Sequence, residues 1–213
     1  MGGAAGPRAV GGYWCFAWAS IGGGKVPRVA TRMTFVCHGS TAATRRAAFP
    51  LDEPLEPAAV AAAAGLAERL HLPAGGQVLT GPTLRCRQTA ELLGLPSTVD
   101  IGLADWKLGS WAGRTLDELS AEAPDDIQAW ITDPTSTPPG GEPLTSVIER
   151  VGRWLDGSDK RPTRVIAVTH PAVIRSAILH TLRAPADSFW RIDVSPLAVV
   201  EVRGHPGRWS LHA

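Results

Sequence analysis

The sequence predicts an α/β protein of three layers (α/β/α), in which helices cover both faces of a mainly parallel central sheet. Short apolar segments rich in β-branched residues alternate along the chain with segments of helical pattern, and this alternation is typical of βαβ units. The clearest strand is 164–169, RVIAVT, and a helical pattern over 172–182 follows it. Because parallel neighbouring strands need a crossover between them, this order favours a parallel sheet.

The first strand is predicted at 34–37, where a short apolar run ends in a polar loop. An alanine-rich helix is predicted at 58–70, because one proline stands at its start and another follows its end. A second strand at 77–80 and a helix at 84–93 come next.

The second half of the chain continues the alternation. Segments 116–119 and 127–131 indicate short helices, and the proline-rich segment 135–143 indicates a loop. A helix is predicted over 145–155 ahead of the clearest strand, and a last strand is predicted at 197–202.

Residues 1–31 are predicted to be a glycine-rich, disordered extension, and residues 32–213 the folded domain. Eight glycines lie within the first 24 residues, and the segment has no helical or alternating period. Met33 directly precedes the first convincing strand, so the segment before it is either a genuine tail or the result of a misplaced start codon.

Composition excludes several classes of protein. The chain has 213 residues, of which 44% are hydrophobic and 19% charged, and its net charge is +1. This balance argues against a nucleic-acid-binding protein and against a disordered acidic chain. Three widely spaced cysteines build neither a disulfide framework nor a zinc ribbon. These cysteines fit a reducing setting, and no apolar run approaches the roughly 20 residues that cross a bilayer, so we expect a cytoplasmic protein with no membrane partner.

Each of three predicted strands is followed by a residue that can act as a nucleophile or bind an anion. His38 follows the first strand, Arg85 lies shortly after the second, and His170 follows 164–169. In parallel sheets, ligands bind beyond the carboxyl ends of the strands. If these loops converge, an imidazole faces an anion held by arginine and by helix N-termini, which suits phosphoryl transfer to a nitrogen nucleophile.

The segments around these residues resemble those of the histidine phosphatase, or phosphoglycerate mutase-like, superfamily. Segment 35–41, FVCHGST, is similar to that family's signature loop, usually Arg-His-Gly followed by Glu or Gln and then Thr or Ser. The other matching segments are 52–55 (DEPL), 81–90 (GPTLRCRQTA), 103–113 (LADWKLGSWAG), 139–142 (PGGE) and 168–175 (VTHPAVIR). Because the matches keep the family's order over about residues 33–182, the chain is identified as a divergent member.

The resemblance implies a phosphoglycerate mutase-like fold and a reaction that needs no metal ion and no cofactor. It implies that His38 accepts the phosphoryl group, that His170 stabilises the charge on its oxygens, and that Arg85 binds the same oxygens. The loop after the nucleophile is expected to bind substrate through Gly39, Thr41, Thr44 and Arg45.

Asp105 stands where the family has the acid that protonates the leaving alcohol and then activates water. This chemistry requires a raised pKa, which desolvation beside Trp106 or Trp111 would supply.

Two departures from the family pattern lie beside the histidines. Cys37 stands where the family has an arginine on the phosphate, and loss of one such contact typically costs about 2–4 kcal/mol of transition-state binding. Arg45 is the first candidate to compensate, with Arg46 and Arg175 as the others. Pro171 replaces a usual glycine and lacks an N–H, although proline suits the first position of a helix.

These residues predict a metal-independent phosphomonoesterase that forms a phosphohistidine and acts on a small phosphorylated metabolite. The alternative is a catalytically weakened or repurposed member that binds phosphorylated ligands or a protein partner, which the cysteine at position 37 would explain. A third hypothesis is phosphoglycerate mutase-type phosphotransfer, although the chain lacks the longer insertions of full-length mutases. The sequence determines neither the substrate nor the oligomeric state.

Overall fold

A six-stranded sheet forms the centre of the fold in the computed structural model, which describes residues 30–70 and 75–212. The strands are β1 (Thr31–Cys37), β2 (Gln77–Thr80), β3 (Thr98–Val99), β4 (Arg164–Thr169), β5 (Val199–His205) and β6 (Arg208–His212). Their order across the sheet is β3-β2-β4-β1-β5-β6. The first four strands of that order are parallel, whereas β5 runs antiparallel to both β1 and β6. The mainly parallel α/β class is confirmed.

Helices cover both faces of this sheet. They are α1 (Ala42–Arg45), α2 (Pro57–Ala67), α3 (Leu84–Leu92), α4 (Leu116–Glu122), α5 (Pro124–Thr132), α6 (Leu144–Asp156) and α7 (Pro171–Leu182), with short 3-10 turns at 101–103, 109–111, 157–160 and 186–191. One hydrophobic cluster joins α2 and α3 to the sheet, and a larger one joins α5, α6 and α7 to its opposite face. None of the helices within the described ranges is long and apolar enough to cross a bilayer.

Alternation along β1 shows how the sheet contributes to both cores. Phe35 and Cys37 belong to the larger cluster, whereas Val36 between them belongs to the cluster under α2 and α3. Successive strand side chains point to opposite faces, so a strand with helices on both sides must be apolar throughout. The apolar run of β1 in the sequence is continuous because both of its faces are covered by helices.

The predicted strands 77–80 and 164–169 agree with β2 and β4 at both ends. β1 begins earlier than predicted, at Thr31, one residue before the expected start of the domain. Residues 1–29 of the predicted extension lie outside the described residues. The alanine-rich helix ends at Ala67 rather than at position 70.

The carboxyl-terminal strand was predicted at 197–202, but the structure has a hairpin of β5 and β6 there. Asp156, at the end of α6, holds this hairpin through the backbone N–H of Gly207 at 2.7 Å and Nε1 of Trp209 at 2.9 Å. His180 of α7 contacts the same carboxylate at 3.0 Å. The hairpin depends on partners more than 20 residues away, which local patterns do not reveal.

Candidate active site

The two central strands bring His38 and His170 together. β1 and β4 pair in parallel with Cys37 opposite Thr169, so the residues that follow them leave the sheet side by side. The backbone N–H of His38 donates to the carbonyl of Thr169 at 2.9 Å. The two imidazole centroids lie 5.3 Å apart. His170 is also the residue before α7, and its extended backbone is what a following proline requires.

The imidazole of His38 is held in one tautomer. Its Nδ1 lies 2.8 Å from the carbonyl oxygen of Gly39. Because a carbonyl only accepts, Nδ1 carries the proton of the neutral ring and Nε2 keeps its lone pair. Burial, and then the nearby His170, lower the pKa of His38 to about 4. At neutral pH, Nε2 is therefore an available nucleophile.

His170 and Arg85 share the carboxylate of Asp105. Oδ2 of Asp105 lies 3.2 Å from Nδ1 of His170 and accepts a hydrogen bond from Nη2 of Arg85 at 2.7 Å. Burial alone lowers the pKa of His170, but the Asp105 carboxylate outweighs burial, and the pKa rises to about 9. His170 is therefore a cation at neutral pH, opposite a neutral His38.

The expected raised pKa of Asp105 is wrong for this structure. Burial does raise the pKa, but His170 and then Arg85 outweigh burial and hold the pKa well below its usual range. Trp106 donates its backbone N–H to Oδ1 of Asp105 at 2.8 Å, and Trp111 belongs to the core rather than to the lining of the cavity. Asp105 therefore stays ionised while both cations face it.

Arg85 is fixed on the first turn of α3, with 2% of its side chain exposed. Nη1 donates to the carbonyl of Leu51 at 2.7 Å, while Nη2 binds Asp105. Within the described residues Nε is buried without a hydrogen-bond partner. Gly81, just before α3, lets His170 approach, because a Cβ there would lie 3.1 Å from Nε2 of that histidine.

Arg150, which sequence reasoning missed, holds the Asp105 segment in place. Its Nη2 donates to the backbone carbonyl of Asp105 at 2.9 Å and to Oε1 of Glu142 at 3.1 Å. Glu142 also accepts hydrogen bonds from the backbone N–H of Lys107 at 3.0 Å and from Nε1 of Trp106 at 2.8 Å. The PGGE loop thus lies beside the site and holds the Asp105 segment in place through Glu142. No local pattern marks Arg150, since its partner lies 45 positions earlier.

The loop after His38 contributes two threonines to the cavity. Thr41 and Thr44 cap α1 reciprocally, and both line the cavity together with His38. Substrate binding by these threonines stays a prediction. The N–H of Gly39 is already used, because it donates to Oγ1 of Thr89 at 3.0 Å.

Arg45 does not replace the missing arginine, contrary to expectation. Its Nε donates to Glu56 at 2.8 Å, and 71% of its side chain is exposed. Arg46 is exposed as well. The third candidate, Arg175, lines the same cavity as His38.

Cys37 is a packing residue. It is fully buried in the larger hydrophobic cluster, and burial raises the pKa of its thiol far above the usual value. A neutral, enclosed thiol supplies neither a nucleophile nor a cation for phosphate. The family arginine is therefore lost at this position.

The cavity beside His38 has a volume of about 210 Å³ and is mostly apolar. Its walls include Phe49, Trp106, Trp130, Phe189 and Trp190. These rings pack on one another, with centroid separations such as 4.6 Å between Trp130 and Trp190. Across residues 30–70 and 75–212, no three His, Cys, Asp or Glu side chains form a group that could hold a metal ion.

Comparison with known proteins places this arrangement in a family. The model of the histidine phosphatase superfamily (branch 1) matches residues 33–213. A bifunctional protein of Mycobacterium tuberculosis is 32% identical over 151 residues, which cover 67% of this chain and 41% of that protein. The chain thus matches about two fifths of the length of this relative.

Two further comparisons cover larger shares of the matched proteins. The glucosyl-3-phosphoglycerate phosphatase of Mycolicibacterium vanbaalenii is 32% identical over 165 residues, which cover 69% of this chain and 70% of that protein. The structure of a mycobacterial glucosyl-3-phosphoglycerate phosphatase in complex with VO3 superposes with a TM-score of 0.75 and 25% identity. That superposition covers 86% of this chain and 98% of the other.

Proposed function

Because this chain belongs to the histidine phosphatase superfamily, we propose that it is a metal-independent phosphomonoesterase that forms a phosphohistidine at His38. The observation that carries the proposal is the pair of imidazoles 5.3 Å apart, one neutral with a free Nε2 and the other cationic. Relatives named as phosphatases support hydrolysis as the reaction. The modest cavity volume supports a small phosphorylated metabolite as the substrate.

Phosphoryl transfer begins when Nε2 of His38 attacks phosphorus and the bond to the leaving oxygen breaks. The cation of His170 and the guanidinium of Arg85 stabilise the charge on the phosphoryl oxygens. These positive groups supply the electrostatic stabilisation that a metal ion provides in other phosphatases.

Asp105 moves the protons. A phosphate dianion that contacts His170 and Arg85 competes with the Asp105 carboxylate for their positive charge, so the pKa of Asp105 rises and it takes a proton from solvent. The protonated acid gives that proton to the leaving oxygen. The resulting carboxylate then accepts a proton from the water that attacks the phosphohistidine, and inorganic phosphate is released.

A phosphoenzyme is expected when the protein is mixed with an aryl phosphate and quenched in alkali, where phosphohistidine survives. Intact-mass and peptide mass spectrometry should place the phosphate on His38, and EDTA should leave the hydrolysis rate unchanged. Loss of activity on chelation, or phosphate on another residue, would contradict the mechanism. Transfer to an organic acceptor instead of release of inorganic phosphate would indicate a mutase.

The pH profile of kcat/KM is expected to be bell-shaped, because this parameter reports the free enzyme. Protonation of His38 below about pH 4 removes the nucleophile, and deprotonation of His170 above about pH 9 removes the cation. Activity should therefore be broad between these limits, apart from the substrate's own ionisation near pH 6. Initial rates with a substrate of known phosphate pKa would measure this. A basic limb near pH 6.5 that stays in place when the phosphate pKa of the substrate is changed would show that Asp105 does not hold the proton on His170.

Cys37 favours a second candidate function, which is binding of phosphorylated ligands without turnover. The loss of an arginine weakens phosphate stabilisation in the transition state more than ligand binding. Tight binding of phosphate esters with no release of inorganic phosphate would support this candidate over the enzyme.

A further inference from the structure

Arg175 is a half-buried cation to which the mechanism above assigns no role. It lies on the second turn of α7 and lines the cavity of His38 together with Pro171 and Ala172 of the same helix. Its Nε is buried without a hydrogen-bond partner, and no ion pair within 4 Å joins it to another described residue. Asp193 acts on Arg175 only from farther away. The buried Nε–H without a partner costs free energy, and the half-buried guanidinium as a whole lines the cavity, where an anion can pair with it.

Arg175 and Arg85 face different spaces around Asp105. Arg85 lines a neighbouring cleft that also includes Asp105, whereas Arg175 lines the apolar cavity on the side of His38. A phosphoryl group bound between His38 and Arg85 lies where the two spaces share Asp105. The remainder of the substrate then extends into one of these two spaces. The aromatic cavity is the one that His38 also lines, so we place the remainder there.

The walls of this cavity define the chemistry of the occupant. Phe49 and Trp190 are half-buried, and Cζ of Arg175 lies 5.3 Å from the centroid of Phe189, so the guanidinium stands beside aromatic faces. Such walls accept a flat or apolar body. Burial disfavours the charged form of Arg175 and lowers its pKa, and an anion bound to the guanidinium would offset this cost of burial.

We propose that this cavity holds the alcohol part of the substrate and that Arg175 binds a second anionic group on it, either a carboxylate or a phosphate. The substrate class is then an organic phosphate with a flat or apolar body and a second negative charge. The proposal rests on the proposed phosphatase function. It makes Arg175 a specificity residue rather than a substitute for the lost arginine at position 37.

The proposal is tested with aryl phosphates that differ only in the second group. The set is phenyl phosphate, 4-carboxyphenyl phosphate, its uncharged 4-carbamoyl analogue, and benzene-1,4-diyl bisphosphate. For the wild type, kcat/KM should be at least about 10-fold higher for the carboxylate or the bisphosphate than for the carbamoyl compound. The preferred member identifies which anion Arg175 takes.

Arg175→Met keeps the length of the side chain and removes its charge. It should abolish the preference, lowering kcat/KM by about 10- to 100-fold for the preferred anion and less than 3-fold for phenyl phosphate. Arg46→Met removes an exposed arginine from the loop after His38 and should change neither value. Equal loss on all four substrates would place Arg175 on the transferring phosphoryl group, and no loss would make it a packing residue. Either result overturns the proposal.

A binding measurement separates this proposal from the proposed function. By calorimetry, 4-(phosphonomethyl)benzoate should bind the wild type at least about 10-fold more tightly than its amide, and Arg175→Met should remove the difference. This readout needs no turnover, so it remains decisive if the protein does not hydrolyse phosphate esters. Circular dichroism and thermal melting establish that the variant is folded. Equal binding of acid and amide by the wild type would overturn the proposal while leaving the phosphohistidine mechanism intact.

Discussion

His38→Ala is expected to lower kcat for aryl phosphate hydrolysis by at least about 10⁴-fold, because it removes the nitrogen that accepts the phosphoryl group in the proposed mechanism. His38 is 6% exposed, and among the described residues its imidazole makes one hydrogen bond, to the carbonyl of Gly39. Its removal should leave substrate binding largely intact. The expected signature is therefore a collapse of kcat and a smaller change in KM.

The matched control for this substitution is His212→Ala, which removes an exposed histidine from β6. Rates are measured as release of inorganic phosphate from freshly purified proteins, and the phosphoenzyme is sought in both. The control should retain full activity and full labelling. Activity of His38→Ala within 10-fold of the wild type would show that another group receives the phosphoryl group.

Arg85→Met should lower kcat/KM by about 10²- to 10³-fold, since one preorganised donor to a developing oxyanion is worth that much in a buried site. The buried guanidinium bridges the carbonyl of Leu51 and the carboxylate of Asp105. Arg85→Lys should restore little, because a single ammonium cannot replace this forked geometry. Arg87→Met provides the control, since Arg87 is exposed on the same helix two residues later.

A second readout distinguishes the electrostatic role of Arg85 from a structural one. Arg85 is one of the two cations that hold the pKa of Asp105 low. Arg85→Met should therefore raise the pKa of Asp105, which NMR titration of the labelled carboxyl would detect in the free protein. A loss of activity without any change in this pKa, in a variant with a lowered melting temperature, would indicate a structural role instead.

The structure changes the interpretation of Cys37, which stands where the family has an arginine. From the sequence, the missing arginine suggested that Arg45 takes its place. Arg45 ends the four-residue α1 and is drawn outward by Glu56, so its charge lies outside the cavity. In the proposed mechanism, phosphate stabilisation therefore depends on His170 and Arg85, and Arg175 is proposed to bind another part of the substrate.

The sequence by itself determined the class of fold and the strand ends at which His38, His170 and Arg85 stand. Strand and helix periodicity, together with residues that follow strand ends, placed His38, His170 and Arg85 at one edge of the sheet. Such signals are local, because side-chain alternation and helix-breaking residues act within a few positions along the chain.

Only the tertiary structure decided the electrostatic state of the site. The pKa of Asp105 depends on His170 and Arg85, which approach it from separate elements, and its backbone is held by Arg150 of α6. The direction of Arg45 is likewise set by Glu56, and the cavity that Arg175 lines is formed by residues from several elements. Coulomb energies and desolvation depend on distances in space rather than on spacing in the chain, so the sequence could name the charged residues but not the charges that they carry or face.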